Sequence, residues 1–189
     1  MTTSPSSRPA ATPADLHARC AGIEILAVDV DGVLTDGRII VDDLGVESKN
    51  FHVRDGLGFS LWHKLGKTSA ILSGRRAAVV DRRAAELKIG RVVQGIADKG
   101  EAFRALLEET GAKAEQVCYI GDDLIDLPVL RAVGLAACPA DAVEEVREAA
   151  HLTTRATGGN GVAREVVELV LKAQGLWHDA CGGYLTPAT

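Results

Sequence analysis

The sequence of 189 residues is long enough for one domain with its own core, and its 47% hydrophobic content excludes a disordered chain. The net charge of −5, with acidic and basic residues interspersed, argues against a nucleic-acid-binding surface, and no apolar stretch reaches the length of a membrane span. The four cysteines form no CxxC pair and show no zinc-ligand spacing, so we expect a reducing compartment and a cytoplasmic protein.

Both ends of the chain differ in composition from the middle. Residues 1–14 are rich in Ser, Thr, Pro and Ala and lack the apolar segment of a signal peptide, which predicts a flexible leader. Residues 178–189 contain Gly and Pro and are predicted to form a flexible C-terminal tail. We therefore expect a single domain over residues 15–177.

Short apolar runs alternate with helix-like segments through this domain, with a β-hairpin predicted at 37–53. Strands are predicted at residues 23–30, 67–73, 91–95, 116–123, 134–138 and 151–154. Helices are predicted at residues 55–66, 76–90, 98–111, 141–150 and 161–175. Asp141 and Glu144 are expected to form a capping box at the start of the fourth of these helices. The alternation predicts an α/β fold, with a Rossmann-like parallel sheet and helices on both faces.

Polar residues follow the predicted strands at the points where the strands end. Asp29 and Asp31 follow the first strand, Ser73 ends the second, Lys99 comes after the third, and Asp122 follows the fourth. Since the carboxyl ends of parallel strands lie at one edge of the sheet, these side chains should converge. Clustered carboxylates need a cation, and Mg²⁺ prefers oxygen ligands and is often shared with phosphate. Together with a hydroxyl and a lysine that suit an anion, the set indicates phosphoryl transfer.

The same residues, in this order, resemble the four motifs of the haloacid-dehalogenase-like (HAD) phosphohydrolase superfamily. The motifs are the segment DVDGVLTDG at 29–37, Ser73, Lys99 and the segment GDDLID at 121–126. With the further segments NFHVRDGLG, ILSGR, DKGEAF and TGGNGVAREV, residues 23–177 look like the 3-deoxy-D-manno-octulosonate 8-phosphate (KDO 8-phosphate) phosphatase family. The resemblance implies a HAD-like fold with a small β-hairpin lid and no separate cap domain. It also implies a Mg²⁺ cofactor, a homotetramer, and hydrolysis of KDO 8-phosphate in lipopolysaccharide biosynthesis.

Catalytic roles follow from the same resemblance. Asp29 is the expected nucleophile, which attacks phosphorus and becomes an aspartyl phosphate. Asp31 is the expected general acid that protonates the leaving oxygen and then the general base that activates water. Ser73 and Lys99 are expected to hold the phosphoryl oxygens.

The resemblance also implies the ligands of the metal and of the sugar. The Mg²⁺ ion is expected on the carboxylates of Asp29 and Asp122 and on the backbone carbonyl of Asp31. Asp123 and Asp126 would orient ligands or pair with the motif lysine. Besides Asp31 and Lys99, the residues expected to contact the substrate are His52, Val53, Arg54, Asp55, Gly56, Arg75 and Arg83.

Several alternatives stay open from the sequence. A nine-carbon, sialic-acid-type 9-phosphate is the nearest rival substrate, since Ser60 stands where the family resemblance predicts a basic residue. A non-catalytic HAD-like oligomerisation module is disfavoured because Asp29, Asp31 and Lys99 are all present. An EF-hand calcium loop beginning at Asp29 is disfavoured because Val33 and Ile40 stand where that loop needs oxygen ligands. Arg164 is a candidate for reaching the site of a neighbouring subunit.

Overall fold

The computed structural model describes residues 12–185, and within this range the strands build one large sheet and one small one. The strands are β1 (Ile25–Val28), β2 (Ile40–Val41), β3 (Glu47–Ser48), β4 (Thr68–Ser73), β5 (Arg91–Gln94), β6 (Val117–Ile120), β7 (Leu135–Cys138) and β8 (Leu152–Thr153). Six of them form a parallel sheet in the order β5-β4-β1-β6-β7-β8, whereas β2 and β3 form an antiparallel pair. The predicted α/β sheet is confirmed.

Helices cover both faces of the parallel sheet. They are α1 (Pro13–Ala21), α2 (Val53–Lys64), α3 (Ala78–Glu86), α4 (Lys99–Thr110), α5 (Leu127–Leu130), α6 (Glu144–Ala149), α7 (Val162–Ala173) and α8 (Trp177–Leu185). Helices α1, α2, α3, α7 and α8 contribute to the core on one face, and α4, α5 and α6 to the core on the other. No helix over residues 12–185 is both long and apolar enough to cross a bilayer.

The central strand β1 shows why its sequence is a continuous apolar run. Leu26 and Val28 pack into the core on one face of the sheet, and Ile25 and Ala27 pack into the core on the other. A strand that is covered on both faces cannot alternate apolar and polar residues, which is typical of parallel sheets. The first position after this strand that can carry a polar group is therefore its carboxyl end, where Asp29 stands.

The connection between β1 and α2 contains the predicted hairpin and no cap domain. Residues 37–53 hold the antiparallel pair β2 and β3, in which Ile40 is opposite Ser48 and Val41 is opposite Glu47. The segment from 29 to 52 is too short to enclose a hydrophobic core of its own. The hairpin is thus the only insertion at this end of the sheet within the described part of the chain.

Both predicted termini differ from the structure where it describes them. Helix α1 begins inside the predicted leader, because Thr12 accepts a hydrogen bond from the backbone N–H of Asp15 at 3.2 Å and caps the helix; the rest of the leader lies outside the described residues. Helix α8 occupies residues that were expected to be a loose tail. Ala180 and Cys181 are buried there against the core, which orders this segment despite its glycines.

The predicted capping box of α6 is wrong. The helix begins at Glu144, its N-cap is Val143, and that residue makes no side-chain cap hydrogen bond. Asp141 instead accepts a hydrogen bond from the backbone N–H of Gly158 at 2.8 Å. The carboxylate lies too far before the helix to reach its first turn, and it anchors the loop that precedes α7.

Candidate active site

The register of the parallel sheet brings the predicted strand ends to one level. Val28, the last residue of β1, pairs with residues of β4 and β6 that precede Ser73 and Asp122 by two positions. Asp29 therefore leaves the sheet between these two neighbours. The sequence-based expectation that the strand ends converge is met by this geometry, and the polar side chains there can act together.

Asp29 is buried and lies against a cation. Its Oδ1 accepts a hydrogen bond from the backbone N–H of Val30 at 2.6 Å, and its Oδ2 lies 2.7 Å from Lys99 Nζ. Burial raises the pKa of Asp29 to about 6, although the charge of Lys99 opposes this rise and that of Asp126 adds to it. A nucleophilic carboxylate must be ionised, so the lysine favours the reactive form of this group.

Lys99 lies at the centre of a buried hydrogen-bond network. Its Nζ also donates to Asp126 Oδ1 at 2.6 Å and to the hydroxyl of Tyr119 at 3.3 Å. Burial lowers the pKa of Lys99, but Asp29 and Asp126 outweigh it and the net shift is upward. The ammonium therefore stays charged where a phosphoryl group would need it.

Asp126 is fully buried, and both of its oxygens are already engaged. Oδ1 accepts from Lys99 and from the hydroxyl of Tyr119, the latter at 2.6 Å. Oδ2 accepts from two backbone N–H groups of the loop after β6, at 3.0 and 3.2 Å. The predicted pairing of Asp126 with the motif lysine is present, and Asp126 shapes the loop. Tyr119 was missed from the sequence because its apolar strand gave no signal of a buried hydroxyl.

Asp122 is the carboxylate of the cluster whose negative charge is least compensated by its neighbours. Burial raises its pKa to about 8, and the neighbouring carboxylates of Asp29 and Asp126 add to the rise. Its Oδ1 is buried without a hydrogen-bond partner. Gly32, at φ +81°, lies so close that a Cβ there would be 2.0 Å from Asp122 Oδ2. The first motif therefore needs glycine to let this carboxylate approach.

These carboxylates fit a divalent cation. Asp29, Asp122 and Asp126 each offer an oxygen, and the three oxygens lie within 4.8 Å of one another. The unpartnered Oδ1 of Asp122 is the kind of atom that a cation would satisfy, and oxygen donors suit Mg²⁺. Because each oxygen of Asp126 already accepts two hydrogen bonds, Asp29 and Asp122 are the better candidates for side-chain ligands, and the expected set stays a prediction.

Asp31 lies in an ionic cluster that the sequence did not reveal. Lys49 Nζ contacts Asp31 Oδ1, and Arg75 Nη1 lies 3.6 Å from Asp31 Oδ2. Both cations also contact Glu47 Oε1, Lys49 at 2.9 Å and Arg75 at 3.0 Å. The hydrogen bond from Lys49 is the first cause of a lowered pKa of Glu47. Arg75 thus lies beside Asp31, and its contact with the substrate stays a prediction.

The remaining motif residues take local structural positions. Ser73 is buried at the end of β4, and its carbonyl accepts a hydrogen bond from the N–H of Ile96 at 3.2 Å. This bond holds the loop that leads to Lys99 beside the serine. Asp123 caps the turn after β6 by accepting from the N–H of Leu124 at 2.7 Å. Asp123 therefore stabilises the loop rather than pairing with the lysine.

Comparison with known proteins agrees with this geometry. A family model for haloacid dehalogenase-like hydrolases matches residues 66–166. The 3-deoxy-D-manno-octulosonate 8-phosphate phosphatase KdsC of Yersinia pestis is 44% identical over 168 residues, which are 89% of this chain and 90% of the relative. The chain belongs to the KDO 8-phosphate phosphatase family of HAD-like hydrolases. It is accordingly a phosphoric monoester hydrolase, as the motifs predicted.

Solved structures of the family superpose closely on this fold. The KDO 8-phosphate phosphatase of Moraxella catarrhalis, in complex with magnesium, phosphate and KDO, has a TM-score of 0.89 at 39% identity and covers 92% of this chain and 99% of its own. A probable YrbI family phosphatase from Pseudomonas syringae has a TM-score of 0.90 at 47% identity, with 93% and 99% covered. The family fold therefore extends over almost the whole described chain.

The turn that leads into α2 carries several of the predicted substrate residues. His52 caps the helix, because its Nδ1 accepts from the N–H of Arg54 at 3.1 Å. Arg83 donates to the carbonyl of His52 at 3.4 Å and stacks over the ring of Phe51. A Cβ on Gly56 would lie 3.1 Å from this guanidinium. Arg83 thus connects α3 to this turn, and the absence of a side chain at Gly56 leaves room for its guanidinium.

Asp55 and Val53 point in opposite directions from the same turn. Asp55 is 2% exposed, and its Oδ1 accepts a hydrogen bond from the N–H of Arg164 at 2.9 Å, at the start of α7. The structure therefore gives Asp55 a partner at the start of α7, and its contact with the substrate stays a prediction. Val53 and Arg54 are exposed and remain predicted contacts.

Arg54 and Arg164 line a groove of about 950 Å³ between the start of α1, the loop before α7, and α7 itself. Among the described residues, the lining includes no member of the acidic cluster around Asp29. The groove and the acidic cluster are thus lined by different residues of the described chain.

Proposed function

We propose that the protein is a Mg²⁺-dependent phosphatase that hydrolyses KDO 8-phosphate to KDO and inorganic phosphate. The observation that carries the proposal is the cluster of Asp29, Asp122 and Lys99 at the carboxyl ends of the parallel strands. Its residues stand at the positions of the motifs, in a chain 44% identical to a KDO 8-phosphate phosphatase. We place the reaction in the cytoplasm, in lipopolysaccharide biosynthesis.

In the first step, an oxygen of Asp29 attacks phosphorus and the bond from phosphorus to the sugar oxygen breaks. Asp31 donates a proton to that departing oxygen, so the sugar leaves as an alcohol. Lys99 and the Ser73 hydroxyl hold the phosphoryl oxygens while Asp29 becomes an aspartyl phosphate. Asp29, Asp122 and the Asp31 carbonyl would hold Mg²⁺, which would supply positive charge to offset that of the phosphoryl oxygens.

In the second step, water attacks the same phosphorus and the bond to Asp29 breaks. Asp31, now ionised, takes a proton from the water, which regenerates both carboxyl groups for the next turnover. Asp126 and Tyr119 do not touch the reacting atoms in this scheme. They keep Lys99 in place through the hydrogen bonds described above.

The substrate also carries a carboxylate and hydroxyl groups, for which we propose contacts from two protomers of a homotetramer. Arg75 lies beside Asp31 within the same protomer. Arg54 and Arg164 line a groove that does not include the acidic cluster, and we propose that a neighbouring protomer supplies them. Arginine suits a carboxylate, since its guanidinium can donate two parallel hydrogen bonds. Ser60 is exposed on α2 and is the first candidate for tuning the choice between sugars.

The proposal is tested by phosphate release with Mg²⁺ from KDO 8-phosphate, a nonulosonate 9-phosphate, hexose phosphates and p-nitrophenyl phosphate. We expect kcat/KM for KDO 8-phosphate to exceed the others by on the order of a hundredfold, because pocket groups left unpaired by the wrong sugar are costly. The variant Asp29→Asn should lose turnover with all of them. Preference for the nine-carbon sugar would keep the mechanism and refute the substrate; activity retained by Asp29→Asn would refute the mechanism.

A further inference from the structure

Lys49 is a buried cation on an otherwise exposed hairpin. Its side chain is 1% exposed, although Leu44 in the same hairpin is 88% exposed and Val46 is 57% exposed. Burial of an ammonium group removes its hydration and is unfavourable unless anions replace the water. Lys49 lies between two such anions, the carboxylates of Asp31 and Glu47.

The contacts of Lys49 are directional. The Nζ contacts Oδ1 of Asp31 and is 2.9 Å from Oε1 of Glu47, which precedes it by two residues in the same hairpin. Arg75, from the loop after β4, approaches Oδ2 of Asp31 at 3.6 Å and Oε1 of Glu47 at 3.0 Å. Lys49 therefore holds one oxygen of Asp31 by a hydrogen bond while Arg75 lies near the other, which restricts the orientation of the carboxyl group.

Asp31 needs such support because of its position. It stands in the loop after β1, beyond the reach of the sheet, and its side chain is partly exposed. Asp29, by contrast, is held by a backbone N–H and by Lys99. A general acid is effective only when its proton is aimed at the leaving oxygen, and loss of alignment by a fraction of an ångström costs rate.

We propose that Lys49 is a positioning residue for the reaction: it aims the carboxyl group of Asp31 at the leaving oxygen and holds the hairpin to the site while it does so. The inference rests on the proposed role of Asp31 as general acid. Lys49 neither gains nor loses a proton. The proton passes from Asp31 to the departing oxygen, and the ammonium only fixes the direction of transfer.

The test separates positioning of a general acid from general structural support. Phosphate esters with good leaving groups need little protonation, whereas those with poor leaving groups depend on it. We would measure kcat/KM for KDO 8-phosphate, phenyl phosphate and p-nitrophenyl phosphate at one pH with Lys49→Met. We expect a loss of about tenfold to a hundredfold for the first two and less than about threefold for p-nitrophenyl phosphate, within the range that acid catalysis contributes.

Three variants serve as references for this measurement. Asp31→Ala should show the same dependence on the leaving group, more strongly, because it removes the acid itself. Lys49→Arg should restore part of the rate, since it keeps the charge. Arg38→Met should leave all three rates unchanged, because Arg38 is exposed on the same connection and pairs only with Asp36 at the surface among the described residues.

Each outcome decides one question. An equal loss with all three esters in Lys49→Met, or no loss, would overturn the inference while leaving the proposed function intact. No leaving-group dependence in Asp31→Ala would instead refute the proposed role of Asp31. If Lys49→Met does not fold, Lys49→Gln carries the same comparison, because its amide can still donate to Glu47. A steeper dependence in either variant, with unchanged melting temperature, supports the inference.

Discussion

At the scale of single residues, the carboxylates of the site outnumber the cations that face them, so their negative charges repel one another. One ammonium group, that of Lys99, faces Asp29 and Asp126, while Asp122 Oδ1 has no partner. Burial therefore raises the pKa of Asp29 to about 6 and that of Asp122 to about 8, with the adjacent carboxylates adding to both shifts. These shifts determine how the stability of the metal-free protein depends on pH.

The stability of the metal-free protein should fall as pH rises from about 4 to about 8. The carboxyl groups of Asp29 and Asp122 have a pKa near 3.8 in the unfolded chain and a higher pKa in the folded protein. In this pH window the folded state therefore binds more protons than the unfolded state, and a rise in pH favours unfolding. In EDTA we expect the melting temperature to fall by on the order of 5 °C between pH 5 and pH 8. Mg²⁺ should raise it more at pH 8 than at pH 5, because the ionised carboxylates bind the cation.

The variant Asp122→Asn isolates this effect from the other titrating groups. An amide at this position cannot ionise, so the variant in EDTA should melt above the wild-type protein at pH 8 and lose most of the pH dependence. Its melting temperature should respond little to Mg²⁺. A wild-type melting temperature that rises with pH in EDTA, or a variant that responds to Mg²⁺ like wild type, would contradict the prediction.

The sequence predicted the residues whose position depends on strand ends, and it did not predict those that depend on side chains meeting across the fold. Asp29, Ser73 and Asp122 follow from apolar runs and the geometry of parallel strands. Lys49 does not, because it reaches Asp31 only after the hairpin folds back over 18 positions of chain. Tyr119 was equally hidden, since a hydroxyl inside a buried strand finds its partner only in the folded loop.

At the scale of elements, the apolar periodicity predicted each strand of the parallel sheet, and helix starts were the weaker part. The predicted cap Asp141 binds a loop instead, whereas the cap of α7 comes from a residue 109 positions earlier, Asp55. Local sequence patterns cannot reveal a cap donated by another helix. Asp55 joins α2 to the start of α7, whose N–H groups need acceptors.

Substitution of Asp55 by Ala should therefore affect stability more than catalysis. It removes the acceptor for the N–H of Arg164 at the start of α7 and leaves that partly buried donor without this partner. We expect the free energy of unfolding to fall by about 1–3 kcal/mol, or roughly 3–10 °C in melting temperature. Measured below the melting transition, kcat/KM for KDO 8-phosphate should stay within about twofold of the wild-type value. A side chain that binds α7 and not the substrate contributes little to transition-state binding. A large rise in KM with unchanged melting temperature would instead indicate that Asp55 contacts the substrate, as expected from the sequence.

At the scale of the whole molecule, the hairpin has two different faces. Through Lys49 it contacts Asp31 in the loop after β1, and through Glu47 it contacts Arg75 in the loop after β4. Its other large side chains, Ile39, Val41 and Leu44, are mostly exposed, at 64%, 54% and 88%. A two-stranded hairpin with such apolar side chains is unusual on a free surface and typical of an interaction site. The hairpin is therefore the surface on which we expect protomers of the proposed tetramer to meet.

Replacement of Leu44 by Asp should dissociate this assembly. A carboxylate in an apolar contact must lose its hydration without a partner, so we expect the dissociation constant of the oligomer to rise by on the order of a hundredfold or more. Light scattering coupled to size-exclusion chromatography would measure the mass over a dilution series. Tyr184→Ser is the control, because it removes a large side chain outside the hairpin that is 70% exposed. If Leu44→Asp keeps the wild-type mass at every concentration, the hairpin is not the interface. If it dissociates, each active site should lose the arginines of the neighbouring protomer, and KM for KDO 8-phosphate should rise. Hydrolysis of p-nitrophenyl phosphate should stay unchanged, because this ester has no carboxylate for those arginines to bind.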